Sequence, residues 1–232
     1  MVRFQVTELS DCGVMLYAYP MQTESNYYRH ERPELVACVE PAPNNCVLDV
    51  GCGTGHVAAR IKREGRASTV WGIELIETAA DEVRENTALD EVHCGNLEQI
   101  VDTLPEACFS HLICGDVLEH LVEPWHTLSR LQTSLRPGGK VICSLPNVRN
   151  LSFLSMLIFG QSFRYREHGV MDRTHLRWFC RKDALAMFEG AGFVNIQTRA
   201  VRPKRTLRYQ LSRMVLRDWV TKGFLITADT PN

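Results

Sequence analysis

The segment Val47-Leu48-Asp49-Val50 is an apolar run carrying one carboxylate, and it stops at Gly51-Cys52-Gly53-Thr54-Gly55. A helix-compatible stretch follows at once and Gly65 closes it. Strand, tight glycine turn and helix together make the opening of a βαβ unit. Glycine lets the backbone turn sharply and lets a ligand approach without meeting a Cβ. In an open α/β sheet such a turn lies at the carboxyl end of its strand, where ligands bind.

The alternation continues along the chain. Strands are expected at 46–50, 69–74, 91–94, 109–114 and 140–145, and helices at 55–64, 77–86, 96–104 and 124–135. An earlier short helix, 31–39, has Pro33 suited to its first turn. After Pro146 the rhythm breaks into a long connection, 147–180, with a helix-like piece at 151–159. A helix at 182–189, strands at 194–201 and 223–228, and a basic helix near 206–220 complete the reading. Strands alternating with helices argue for a parallel sheet covered on both faces, with right-handed crossovers. The fold class is therefore α/β: a doubly wound, seven-stranded, mostly parallel sheet with an antiparallel edge strand and a lid insertion after the fifth strand. A single domain over 1–232 is expected, with 1–40 as an N-terminal cap segment and 147–180 as the lid.

At 232 residues and 45% hydrophobic the chain can close one full core. The net charge of -1 supplies no global field for nucleic acid. No apolar run reaches the length of a membrane span, and residues 1–20 lack the pattern of a secretory leader. The nine cysteines contain no C-x-x-C spacing. They read as buried free thiols of a reducing compartment, hence a cytoplasmic protein with no metal site.

A dinucleotide site would want glycine at position 56, to complete G-x-G-x-x-G; His56 stands there. Asp49 also opposes a pyrophosphate and suits a cationic ligand. Glu74 ends the second strand, where a carboxylate can accept hydrogen bonds from a ribose diol. Asn96 and Leu97 follow the third strand. They either reach an adenine amino group and cover its ring, or Asn96 is simply a helix cap. Gly115-Asp116-Val117-Leu118-Glu119-His120 follows the fourth strand, beside the glycine turn.

Together these segments resemble the class I S-adenosylmethionine (SAM)-dependent methyltransferases, over about residues 27 to 200. VLDVGCGTG, GIE, GNLE, GDVLEHL and LRPGGKVICSLPN match that family's motifs in the family's order. The fold so implied is Rossmann-like. The resemblance implies SAM contacts at Asp49, Gly51, Cys52, Gly53, Thr54 and Gly55, and at Glu74 and Leu75. It further implies Asn96, Leu97, Gly115, Asp116 and Val117, with Tyr27, Tyr28 and Arg32 closing from the other side. Tyr27-Tyr28, Arg32-Pro33-Glu34, SLPNVRN and GVMDRTHLRWF look like a bacterial small-molecule and glycan-associated subgroup related to the ubiquinone O-methyltransferases. His111 departs from the aspartate usual there, and Trp178-Phe179-Cys180 from a commoner Phe and Thr.

The acceptor is then a small molecule or a sugar-containing compound, with oxygen favoured over nitrogen. A hydroxyl acceptor needs a base more than an amine does. His175, with Asp172 to orient it, and His120 are the candidates. Each imidazole has a structural alternative: His175 pinning the lid, His120 packing below SAM with Glu119. Arg164, Tyr165, Arg173 and Arg177 either hold a polar or anionic acceptor or form a solvated cationic loop. Residues 199–222, with eight basic residues against Asp218, are either a solvated face or a docking face for an anionic partner. The rivals are an NAD(P)-dependent oxidoreductase and a non-catalytic SAM-binding protein. Monomer and homodimer are both compatible with the chain.

Overall fold

The computed structural model describes residues 31–85, 89–201 and 217–232. Tyr28, and most of the helix expected near 206–220, lie outside them. The described residues build one sheet from β1 (Cys46–Val50), β2 (Thr69–Glu74), β3 (Glu91–Cys94), β4 (Phe109–Gly115), β5 (Leu135–Pro146), β6 (Val194–Ala200) and β7 (Gly223–Asp229). The helices are α1 (Pro33–Val36), α2 (His56–Arg63), α3 (Glu77–Glu85), α4 (Leu97–Ile100), α5 (Pro124–Ser134), α6 (Leu151–Ile158), α7 (Arg181–Gly190) and α8 (Arg217–Val220).

The strand order is β3-β2-β1-β4-β5-β7-β6. β1 pairs in parallel with both β2 and β4, so the winding reverses between β1 and β4. That reversal opens the crevice at the strands' carboxyl ends, and the glycine turn stands in it. At the far edge β6 pairs antiparallel with β7, and β7 antiparallel with β5. The antiparallel edge pairing is therefore present, with β7 the one reversed strand, one place in from the edge.

Successive residues of a strand face opposite sides, and β1 serves both. Val47 packs with Leu35, Val36, Ala58, Ile61 and Val83, under α1, α2 and α3. Leu48 joins Leu97, Leu128, Leu131, Ala184 and Phe188, under α4, α5 and α7. Continuous apolar runs are what a strand covered on both faces requires.

β5 starts earlier than the sequence suggests. α5 ends at Ser134, and Leu135 already pairs with Phe109. The register then slips, and Lys140 sits opposite His111. Arg136-Pro137-Gly138-Gly139 bulges out between these pairs. Two late residues tie it down: Thr230 N donates to the Gly139 carbonyl at 2.8 Å and Gly138 N to the Pro231 carbonyl at 3.3 Å. α4 is shorter than expected and runs into a 3-10 turn at Val101–Thr103.

The connection after β5 is anchored at its two ends. Asn147, fully buried, donates to the carbonyls of Asp218 and Thr221 and bridges to Phe179. Near its far end Leu176 N and Arg177 N both donate to the Glu119 carbonyl at 2.9 Å. Between the anchors α6 has no buried residue, and Phe159 just beyond it is 81% exposed. No helix among the described residues is long and apolar enough to cross a membrane.

Candidate active site

The first wall is the β1 turn. Gly51 N and Cys52 N both donate to the Ile73 carbonyl, folding the turn onto β2. Gly51 has φ 68°, and a Cβ there would lie 2.8 Å from Val117 Cγ2, so the turn and the β4 loop approach as closely as only glycine permits. Glu74 Oε2 accepts from Gly53 N at 2.8 Å and Oε1 from Ile76 N at 3.0 Å. The carboxylate thereby holds the turn, and each oxygen keeps a lone pair for a ligand hydroxyl. Cys52 is buried in the core, so that residue offers its backbone to the site. Thr54 is half-buried and Gly55, at φ 78°, leads into α2.

Asp49 is 3% exposed, and its Oδ2 has no hydrogen-bond partner. Burial, reinforced by the charge of Glu74 and opposed by Arg32, pushes its carboxyl up to about 7. A buried carboxylate oxygen without a donor costs free energy until a cation or donor reaches it. It therefore fits the ammonium group of a ligand such as SAM.

The β4 end supplies Gly115, Asp116 and Val117. Asp116, at φ 59°, pairs with Arg32 Nη1 at 2.7 Å and accepts from Ser144 Oγ at 2.7 Å. Arg32 also donates to Ser144 and pairs with Glu34. Arg32, expected only to close over SAM, thus joins the start of α1 to the ends of β4 and β5. Ser144 is a site residue that sequence reasoning missed; its signal is a hydroxyl at a fully buried position of an otherwise apolar central strand.

The expected adenine side lies where β3 runs into α4. Asn96 caps α4, its Oδ1 accepting from Glu98 N at 3.0 Å. Leu97 is buried in the core cluster. Leu75, 68% exposed beside Glu74, is the apolar side chain offered there.

The second wall brings together residues far apart in sequence. Glu119, in the 3-10 turn Leu118–His120, is 0% exposed, and neither carboxylate oxygen has a hydrogen-bond partner. Burial first, then the charge of Asp116, pushes this carboxyl well above the ordinary range. His175 Nε2 lies 3.9 Å from Glu119 Oε1. The rings of His120 and His175 meet edge to face at 4.7 Å. His120 Nδ1 is 3.2 Å from the Thr174 carbonyl and His175 Nδ1 is 3.2 Å from the Val170 carbonyl. Burial lowers the proton affinity of both imidazoles, and at His120 the neighbouring His175 lowers it further.

Asp172 does not orient His175 through its side chain. Its Oδ1 accepts from Thr174 N at 2.9 Å and Thr174 Oγ1 at 2.7 Å, which fixes the turn, while the Val170 carbonyl holds the imidazole. Of the expected acceptor-binding residues, Arg177 donates to the Val122 carbonyl and lies over Trp125, and Arg173 pairs with Glu167. Arg164 is exposed, and the exposed Tyr165 ring joins Phe163 and Trp178 in an aromatic cluster. A surface depression lined by Asn44, His111, Arg136 and Lys140 lies at the opposite ends of the strands.

The cysteines are more varied than the sequence suggests. Eight are unbridged among the described residues, but Cys94 is exposed and Cys46, Cys108 and Cys180 are only partly buried.

A family profile described as a methyltransferase domain matches residues 22–198. The ubiquinone biosynthesis O-methyltransferase of Neisseria meningitidis serogroup C is 30% identical over 120 residues, 50% of this chain and 50% of that protein. The chain thus matches about half the length of that relative. The demethylmenaquinone methyltransferase of Lactiplantibacillus plantarum is 25% identical over 186 residues, 73% of this chain and 78% of that protein. A SAM-dependent methyltransferase structure from Archaeoglobus fulgidus superposes with a TM-score of 0.63 at 16% identity, covering 89% of this chain and 97% of that one. At that identity the superposition speaks for the fold.

Proposed function

Because this chain belongs to the methyltransferase-domain family, we propose that it is a SAM-dependent methyltransferase and that it methylates a hydroxyl group on a small-molecule or sugar-containing acceptor. Bound SAM supplies an electrophilic methyl group on a sulfonium. The chain's own residues have three tasks. Asp49 meets the ammonium of the methionine end, with Arg32 and Asp116 beside it. Glu74 receives the ribose hydroxyls while it holds the glycine turn. Leu75 and Asn96 flank the adenine.

The observation that favours oxygen is the second wall. The acceptor oxygen must lie in line with the methyl group, within about 3 Å. Its proton must leave, and proton transfer by a positioned group is worth about a hundredfold or more. Glu119, His120 and His175 form the cluster that can draw that proton off, beside Asp116. A phenolic hydroxyl is the favoured class, supported by the ubiquinone O-methyltransferase relative. The exposed aromatic residues Phe163 and Tyr165 would suit the apolar body of such an acceptor. The same reading has a cytoplasmic monomer or homodimer, and the unbridged cysteines support the reducing compartment.

The test is mass spectrometry of products from the purified chain, SAM and a panel of catechols, hydroquinones, hydroxylated sugars and primary amines. Methyl ethers are expected, with phenols ahead of sugars. Methylated amines alone would replace oxygen by nitrogen as the acceptor atom. SAM binding with no transfer to any class would leave a non-catalytic SAM-binding protein.

A further inference from the structure

We propose that the depression at the amino-terminal ends of β4 and β5 binds a phosphate group, held by His111, Arg136 and Lys140. It lies at the opposite pole of the sheet from the glycine turn, and its occupancy does not rest on the hydroxyl reading above.

Three observations carry the proposal. The first is the wall itself. Asn44, Ser110, His111, Arg136 and Lys140 are among the residues that line a volume of about 270 Å3, and no lining residue is acidic. A liquid water takes about 30 Å3, so a phosphate group fits with water to spare. The second is the state of the two permanent cations, both half-buried. Arg136 gives one N–H to the Asn44 carbonyl at 3.0 Å. Neither cation has an ion-pair partner among the described residues. Asp229, opposite Lys140 in the sheet, accepts from Asn195 at 3.1 Å. The positive potential of the two cations also disfavours the charged form of His111, so an anion placed among them relieves a repulsion.

The third observation is the tautomer of His111, which is 8% exposed. Its Nδ1 lies 2.9 Å from Ser110 Oγ. That hydroxyl gives its one hydrogen to the Cys46 carbonyl at 2.9 Å and accepts from Cys46 N at 3.1 Å. Toward His111 it can only accept, so Nδ1 carries the ring hydrogen. Nε2 then keeps a bare lone pair beside two cations. An oxyanion that still carries a proton satisfies all three groups at once. Its P–OH donates to Nε2, and its other oxygens accept from Arg136 and Lys140. Sulfate has no such proton near neutrality. To bind as well it must make His111 take one up, against burial and the two cations that lower this imidazole to about 4. The neighbouring Cys46 thiol on β1, pushed up to about 11 chiefly by burial, stays neutral and does not help. The arrangement therefore selects phosphate over sulfate.

The experiment titrates the full chain with sodium phosphate and with sodium sulfate at matched ionic strength, read by calorimetry and by the rise in Tm. One phosphate per chain is expected at pH 7.5, bound about tenfold or more tighter than sulfate. Sulfate affinity should rise by up to about tenfold per unit as pH falls toward 6, with proton uptake, and phosphate affinity much less. Arg136→Gln and Lys140→Gln should each weaken phosphate by about tenfold. His111→Asn should remove the preference for phosphate over sulfate. Circular dichroism checks the fold of each variant. Glycerol 3-phosphate near pH 6, where the ester keeps its second proton about half the time, separates the two sources of the group. Binding like that of phosphate makes an ester the ligand, exclusion leaves the free ion, and both uphold the site. No saturable phosphate binding, or binding that none of the three substitutions weakens, would overturn the site. Equal affinities for phosphate and sulfate with the same pH slope would overturn the role given to His111.

Discussion

On the proposed reading, Asp49 should make SAM affinity pH-dependent in a way that can be calculated. Its carboxyl is buried, faces Glu74 and is pushed up to about 7 in the free protein. Only the ionised form pairs with the ligand's ammonium group, so the complex holds this carboxyl deprotonated. The free protein carries a proton that the complex lacks, so binding strengthens as pH rises. The apparent Kd scales as one plus ten to the power of pKa minus pH. Between about pH 8 and pH 6 this weakens binding by about tenfold, about 1.4 kcal/mol. About 0.9 proton is released per SAM bound at about pH 6. Calorimetry in buffers of different ionisation enthalpy measures both quantities. SAM's own amine contributes to the slope, so the decisive comparison is Asp49→Asn, which should bind more weakly and lose the Asp49 part of the dependence. The same slope and proton count in the variant would refute the assignment. The ligand-free protein supplies a second check. A raised carboxyl pKa means stability fully present below the unfolded value and lost as pH rises toward about 7. The loss amounts to about 4 kcal/mol at the upper limit, and Asp49→Asn should recover much of it as a higher Tm at pH 8.

His111 sets an acid limit of the opposite origin. Burial, with Lys140 and Arg136 nearby, lowers its pKa to about 4; the unfolded chain takes up the proton first, so stability is lost as pH falls from about 6.5 toward 4, by up to about 3 kcal/mol. His111→Asn should flatten that limb in thermal scans and leave SAM affinity unchanged; an unaltered limb would contradict the cause. Glu74→Ala should raise the Kd for SAM at least about tenfold and lower stability by about 2–4 kcal/mol, since it removes two backbone anchors of the turn; unchanged affinity would reject the ribose role. His175→Ala should abolish turnover and alter SAM affinity by no more than about twofold if the imidazole serves the acceptor as proposed; retained turnover would take His175 out of the chemistry.

The wall built on the β1 turn was legible because its signals are local. Asp49, the glycine turn and Glu74 lie on two adjacent strands whose apolar runs announce themselves, and strand alternation places them at one end of the sheet. What escaped depends on distant chain. β5 begins at Leu135 because residues 230 and 231 tie its bulge. Leu97 and Leu75 look alike in sequence, and only the packing of α4 decides which is buried. Glu119 reads as a structural acid until the segment near residue 175 is laid over it. Arg177 donates to the Val122 carbonyl and Asp172 accepts from the Thr174 backbone N–H, and such backbone partners carry no sequence signature.

The reversed strand β7 has a consequence during synthesis. β5 ends at Pro146, and its outer partner is a strand whose pairing begins at Gly223. On the ribosome β5 therefore emerges as an open edge and stays one while the intervening residues are added, on the order of several seconds. β6 emerges in that interval with no neighbour to join, since its described pairing is to β7. Nascent chains are thus most exposed to edge-to-edge association at this stage. Slow translation between β5 and β7 would lengthen the time for which this edge stays open.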